Sequence, residues 1–128
     1  MKNAIFTAII VVITTIGISS PGHTAGQEKQ ILEMTKNNWI AYRDFNGRQL
    51  IYFTHLEAWK CGILQVSYSI NSEALDQIYL LQPCDPNNPN AVTTDKPYIS
   101  LPLGTSQTIA VQLTYEDGTK SEVIRMAP

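Results

Sequence analysis

The residues best equipped for chemistry lie together in "HLEAWKC", where His55, Glu57, Trp59 and Cys61 fall within one short run. An imidazole, a carboxylate and a thiol are the parts of nucleophilic and acid–base machinery, but a nucleophile works only with a base and an orienting group in reach. Ser67, Ser69 and Ser72 allow a Ser-His-Asp set on paper, yet no Gly-x-Ser-x-Gly elbow surrounds any of them. Zinc fails on ligand number, because the one histidine beyond residue 25 and two cysteines joined as a disulfide cannot supply three or four donors. The oxygen-rich "DPNNPN" starts like a calcium loop with Asp85 and Asn87. It then puts Pro89 at the fifth position, Asn90 where glycine is needed and Lys96 where the closing glutamate belongs. No carboxylate pair stands out, so neither a metal nor a cofactor is expected.

What remains for Cys61 and Cys84 depends on compartment. The chain opens with Lys2 and an apolar run from Ala4 to Ile18, followed by Pro21 and small residues. That run has the length of a signal h-region and falls short of the roughly 20 residues that span a bilayer. Residues 1–25 therefore read as a cleaved signal peptide, with the mature chain starting between Gly22 and Gln27; an uncleaved N-terminal anchor is the alternative. Export to the periplasm or the extracellular space, with no stable membrane insertion after cleavage, permits a disulfide. Two cysteines allow one intramolecular pairing, Cys61 with Cys84. Their loop of 24 residues is worth about 3 kcal/mol on the chain-entropy account. Redox pairs place their thiols much closer together.

Removing the leader leaves about 103 residues, enough for one small domain. Eight Lys and Arg then face eleven acidic residues, and the cations are scattered rather than striped, which excludes nucleic acid as a partner.

The elements that must position these residues are mostly strands. In "ILQVSYSI", Leu64, Val66, Tyr68 and Ile70 alternate with Gln65, Ser67 and Ser69, and in "QTIAVQLTY" Ile109, Val111, Leu113 and Tyr115 alternate with Ala110, Gln112 and Thr114. Asn46-Gly47 and Asp117-Gly118 are hairpin turns, since these residue types tolerate positive φ. Two-residue loops set Tyr42 opposite Ile51, Ile40 opposite Phe53, Val111 opposite Ile124 and Ile109 opposite Met126. Further strands fall in 77–82 and 97–103, the latter an edge because of Pro102. Residues 26–37 form an N-terminal extension, helical or merely ordered, ahead of a β-domain over 38–128. The stretch 83–97, rich in Pro, Asn and Asp, must cross the surface as a loop.

This pattern reads as an all-β antiparallel sandwich. Over residues 48–126 the run "VSYSIN" and the strand-turn-strand "TIAVQLTYEDGTKSEVIRM" resemble the strands of immunoglobulin-like and fibronectin type III modules. Two features depart from a true immunoglobulin domain: the close cysteine spacing, and Trp59 lying before Cys61 rather than between the pair. The resemblance implies a fold that hosts adhesion, carbohydrate binding and partner docking alike.

The remaining functional signal is aromatic. Trp39, Tyr52, Trp59 and Tyr98 form the candidate binding surface, with Trp39 and Tyr52 expected on the exposed face of the first hairpin, unless the N-terminal segment or the second sheet covers it. Exposed aromatics give contact area at low entropic cost. The expected function is a small exported binding module without catalytic activity, recognising a protein partner or a glycan through this face and the 83–97 loop. The alternative is a small secreted enzyme or enzyme inhibitor acting through loops around His55 and Glu57.

Overall fold

The computed structural model describes residues 9–12 and 26–128. The signal-peptide reading of 1–25 thus lies almost wholly outside the described residues; Ile9 to Val12 carry no regular structure. Among the described residues no helix is long and apolar enough to cross a membrane.

Helix α1 (Gln27–Met34) leads through a 3-10 turn (Lys36–Asn38) into β1 (Ala41–Phe45) and β2 (Arg48–Tyr52). A five-residue helix α2 (Thr54–Ala58) and a second 3-10 turn (Lys60–Gly62) precede β3 (Ile63–Ile70). The remaining strands are β4 (Gln77–Tyr79), β5 (Tyr98–Pro102), β6 (Ile109–Tyr115) and β7 (Ile124–Met126). They form two antiparallel sheets, one of order β1-β2-β5 and one of order β4-β3-β6-β7, which makes the fold sandwich-like and mostly β.

Both hairpins form, and the first has the two-residue turn that its sequence predicts. Asn46 (φ 54°) and Gly47 (φ 75°) are left-handed, the conformation a two-residue turn needs, and Tyr42 pairs with Ile51. In the second hairpin the loop is 116–118, one residue longer than the spacing predicts. Gly118 (φ 84°) is left-handed and Asp117 is not, the Tyr115 N–H donates to the Thr119 carbonyl and Thr114 bridges Lys120. A one-residue shift before Ile124 restores the pairs Val111 with Ile124 and Ile109 with Met126. Alternation then sends Ile51 and Phe53 from one sheet, and Val66, Ile109, Val111 and Leu113 from the other, into a shared core. Phe53 is fully buried and stacks on Tyr79 at 4.1 Å between centroids. A buried polar bridge crosses the layers: Gln49 Nε2 donates to the Ser106 carbonyl at 3.0 Å and the Ser106 N–H donates to Gln49 Oε1 at 2.8 Å. Every polar group of that pair is used, so burial costs little.

Three further expectations need correction. Trp39 was expected on the exposed face with Tyr52, but it is completely buried. The 3-10 turn carries helical backbone up to Trp39 (φ −61°, ψ −35°), so strand alternation starts only after it. The indole swings into the core and its Nε1 donates to the Leu32 carbonyl at 3.0 Å. Trp59 likewise packs half-buried against the core. Leu64, expected to point inward, is 64 % exposed, because the β3–β6 register shifts between Ile63 and Gln65 and Ile63 takes the inward place.

Residues 27–34 are helical, and tertiary contacts hold them so. Lys29 pairs with Asp117 at 3.0 Å and Lys36 with Glu122 at 2.7 Å, while the Tyr115 hydroxyl donates to Glu33. Glu28 lies against Gly62 so closely that a Cβ on that glycine would sit 2.3 Å from the Glu28 Cβ.

Candidate binding face

His55 and Glu57 are brought into one short helix but not into one site. Two positions apart on a helix, side chains diverge. His55 Nε2 lies 2.8 Å from the Thr35 hydroxyl, which itself donates to the Ile31 carbonyl at 2.6 Å. This hydrogen bond engages Nε2 in either tautomer of the ring. Burial lowers the His55 pKa below its ordinary value, which keeps the ring neutral as a link between α2 and α1.

Glu57 turns the other way, into the root of the 80–92 segment. Its carboxylate accepts the Gln82 N–H at 3.2 Å, and together with burial it raises the Tyr79 pKa above the usual phenol range, burial being the larger cause. Buried Lys60 donates to the carbonyls of Glu57 at 3.2 Å and Ala91 at 2.5 Å, and Asn90 Nδ2 donates to the Ala58 carbonyl at 2.8 Å. Cys61 and Cys84 form the expected disulfide, with Cα atoms 4.9 Å apart, inside the range the bond requires. The segment "HLEAWKC" is therefore a clasp that ties an otherwise irregular loop to the sandwich. Among the described residues no cluster of His, Cys, Asp and Glu could hold a metal ion.

The groups that do gather in an accessible arrangement lie on the outer face of the three-stranded sheet. Tyr52 and Tyr98 pair directly across β2 and β5, and their half-buried rings stand 5.1 Å apart at an interplanar angle of 52°. Strand parity adds Arg43 and Phe45 from β1 and Arg48 and Leu50 from β2 to the same face, because Arg43 pairs with Leu50 and Phe45 with Arg48. Arg43 lies over the Phe45 ring at 4.2 Å in a cation–π contact. Arg48 is held down on β5, with Nε donating to Ser100 Oγ at 2.9 Å and Nη2 to the Ser100 carbonyl at 3.1 Å. A shallow groove of about 460 Å³ runs across this face, with Leu50, Tyr98 and Ser100 along it and Lys96 from the 83–97 loop at its side.

Of the candidate aromatics, Tyr52 and Tyr98 meet on this face, whereas Trp39 is in the core and Trp59 lies half-buried against it. Arg43, Phe45, Arg48 and Lys96 were not among the sequence candidates. The Asn46-Gly47 register already places the first three with Tyr52. Only the β2–β5 pairing, which joins residues far apart in the chain, was needed to add Tyr98 and Lys96.

A second accessible surface differs in character. Leu64, Ile78 and Leu80, 64 %, 55 % and 82 % exposed, border a groove of about 530 Å³ beside the disulfide. It arises because β4 leaves β3 after Tyr79, where Glu57 captures the Gln82 N–H and draws the chain off the sheet.

No family model matches the chain, and neither a curated protein nor a solved structure matches it significantly.

Proposed function

We propose that this protein is a small exported binding module that recognises a protein partner or a glycan through the outer face of its three-stranded sheet, and that it has no catalytic activity of its own. The observation that carries the reading is the meeting of Tyr52, Tyr98, Arg48 and Lys96 on one flat, accessible face. Aromatic and arginine side chains dominate binding energetics because they give large, stiff contact area and directed donors. The divergence of His55 and Glu57 supports a non-catalytic role.

Export is supported by the apolar leader and by the Cys61–Cys84 disulfide, which persists in oxidising compartments. The strand order supports an immunoglobulin-like or fibronectin type III-like sandwich: β1, β2 and β5 take the places of strands A, B and E. β4 joins β3, β6 and β7 as a C′ strand beside C, F and G. In such modules the sheet faces and end loops do the binding.

The test is capture from the host. Exported protein immobilised through its C-terminus should retain material from host envelope or culture extracts, and a Tyr52→Ala, Tyr98→Ala variant of unchanged circular dichroism should lose it. Equal retention by both proteins removes this face from the function.

A further inference from the structure

Resting on the binding-face reading, we infer that the ligand is an acidic polysaccharide whose uronate carboxylates engage Arg48 and Lys96 while its sugar rings lie on Tyr52 and Tyr98.

Charge is the first reason. The chain has a formal net charge of −2, and Lys29, Lys36 and Arg125 all pair with carboxylates. Among the described residues, Arg43, Arg48 and Lys96 on the outer face make no ion pair. An acidic protein that leaves three cations unneutralised on one face is complementary to an anion there.

Geometry is the second. Arg48 is fixed through Nε and Nη2 on Ser100, so its remaining N–H groups project from a guanidinium that is already ordered. A planar fork of this kind suits a carboxylate, at reduced entropic cost. Tyr52 and Tyr98, half-buried and in ring contact, are similarly restrained. The C–H face of a pyranose packs on such rings and its hydroxyls remain available to Ser100 and to water. From Arg48 to Tyr52 is four strand steps, roughly 13 Å at about 3.3 Å each, which accommodates a short run of sugar rings rather than a single one.

The distribution of apolar groups is the third. A protein interface needs a desolvated apolar centre, and the exposed aliphatic side chains that border one groove are Leu64, Ile78 and Leu80 at the other sheet, while Leu103, 55 % exposed, lies just past the end of β5. On the outer face Leu50 is 6 % exposed, and the accessible Phe45 is overlaid by Arg43. A polyphosphate chain would need a longer basic stripe than three cations on an acidic protein.

Isothermal titration of the exported protein decides the matter, with oligogalacturonate, a neutral cello-oligosaccharide of equal length, polyglutamate and oligo-dT as probes. The expected result is that oligogalacturonate alone binds, at least tenfold more weakly in Arg48→Ala, Lys96→Ala and Tyr98→Ala, and more weakly as salt rises. Arg48→Lys, which keeps the charge and removes the fork, should also lose several-fold. Tighter binding of polyglutamate or oligo-dT, equal binding of the neutral sugar, or unchanged affinity in Arg48→Lys and Lys96→Ala overturns the inference. If no probe binds but extract material is retained by wild type and lost by the tyrosine variant, the ligand class is wrong and the binding face stands. If retention is also unchanged, both fall.

Discussion

Tyr52 and Tyr98 stand opposite one another across the β2–β5 ladder, 46 residues apart in sequence and 5.1 Å apart between ring centroids. Their contact joins the first hairpin to the end of the 83–97 loop, so the face exists only once the sheet is complete. Because the rings lie outside the core, removing one should cost less than a core deletion. Tyr98→Ala is expected to lower stability by about 1 kcal/mol or less, in the range of a cross-strand aromatic pair. Chemical denaturation of wild type and variant checks this, and a loss of several kcal/mol would mean that the tyrosine is structural.

Gly62→Ala should be costly. The new Cβ would meet the Glu28 Cβ at 2.3 Å, and neither α1 nor the 3-10 turn can retreat without loosening Leu32 and the disulfide beside it. Overpacking of this kind costs about 1–3 kcal/mol, and thermal unfolding should show a midpoint lower by roughly 4–8 °C per kcal/mol. A midpoint equal to wild type would show that α1 is not seated on Gly62.

Reducing the Cys61–Cys84 bond should lower stability by about 3 kcal/mol and raise amide exchange most in residues 80–92. Lys60 and Asn90 still hold that segment from the other side, so the sheets should stay folded. A Glu57→Leu substitution removes the acceptor of the Gln82 N–H and should loosen the same segment without reduction. Hydrogen exchange by mass spectrometry distinguishes the two effects, and uniform exposure of all strands on reduction would contradict the clasp.

Stability should fall as the solution is acidified, in two arms. The folded His55 pKa lies below 6.5 through burial, so below that value the unfolded chain takes up the proton first and folding loses free energy. The folded carboxyl of Glu33 is held below 4.5 by Lys36 and Tyr115, and that of Asp117 falls from 3.8 to about 2 through Thr119 and Lys29. Their contribution is present above those ordinary values and disappears between about pH 4.5 and 2. Thermal midpoints across pH 2–8 should trace both arms, and His55→Gln should flatten the upper one. A midpoint that rises on acidification from pH 7 to 5 would contradict the buried neutral imidazole.

The parts of the fold that are legible in the sequence are those written in local spacing. Alternation marks β3 and β6, Asn46-Gly47 sets a register that the structure reproduces, and Asp117-Gly118 gives the right pairs at Val111 and Ile109 although the loop itself is one residue longer. The Cys61–Cys84 pairing follows from the absence of any other partner. Trp39 could not be placed by alternation, because the 3-10 turn at 36–38 is fixed by packing of the indole under α1, a contact between elements. Leu64 was misplaced for a related reason: a bulge depends on the partner strand. The clasp at "HLEAWKC" looked like chemistry because buried polar residues that hold a loop are the same types that make an active site. Their opposite directions on α2 become visible only when α1 and the 80–92 segment are in place.

The central claim is that the outer face of the three-stranded sheet is where this protein binds. The most direct measurement is a two-dimensional amide NMR titration of the isotopically labelled protein with oligogalacturonate. Shifts and broadening are expected to concentrate at Arg43, Arg48, Leu50, Tyr52, Lys96 and Tyr98, with the core strands β3 and β6 unmoved. Perturbation centred on Leu64, Ile78 and Leu80 would contradict it, whereas no perturbation at any concentration would overturn the uronate ligand and leave the face to be judged by the extract capture.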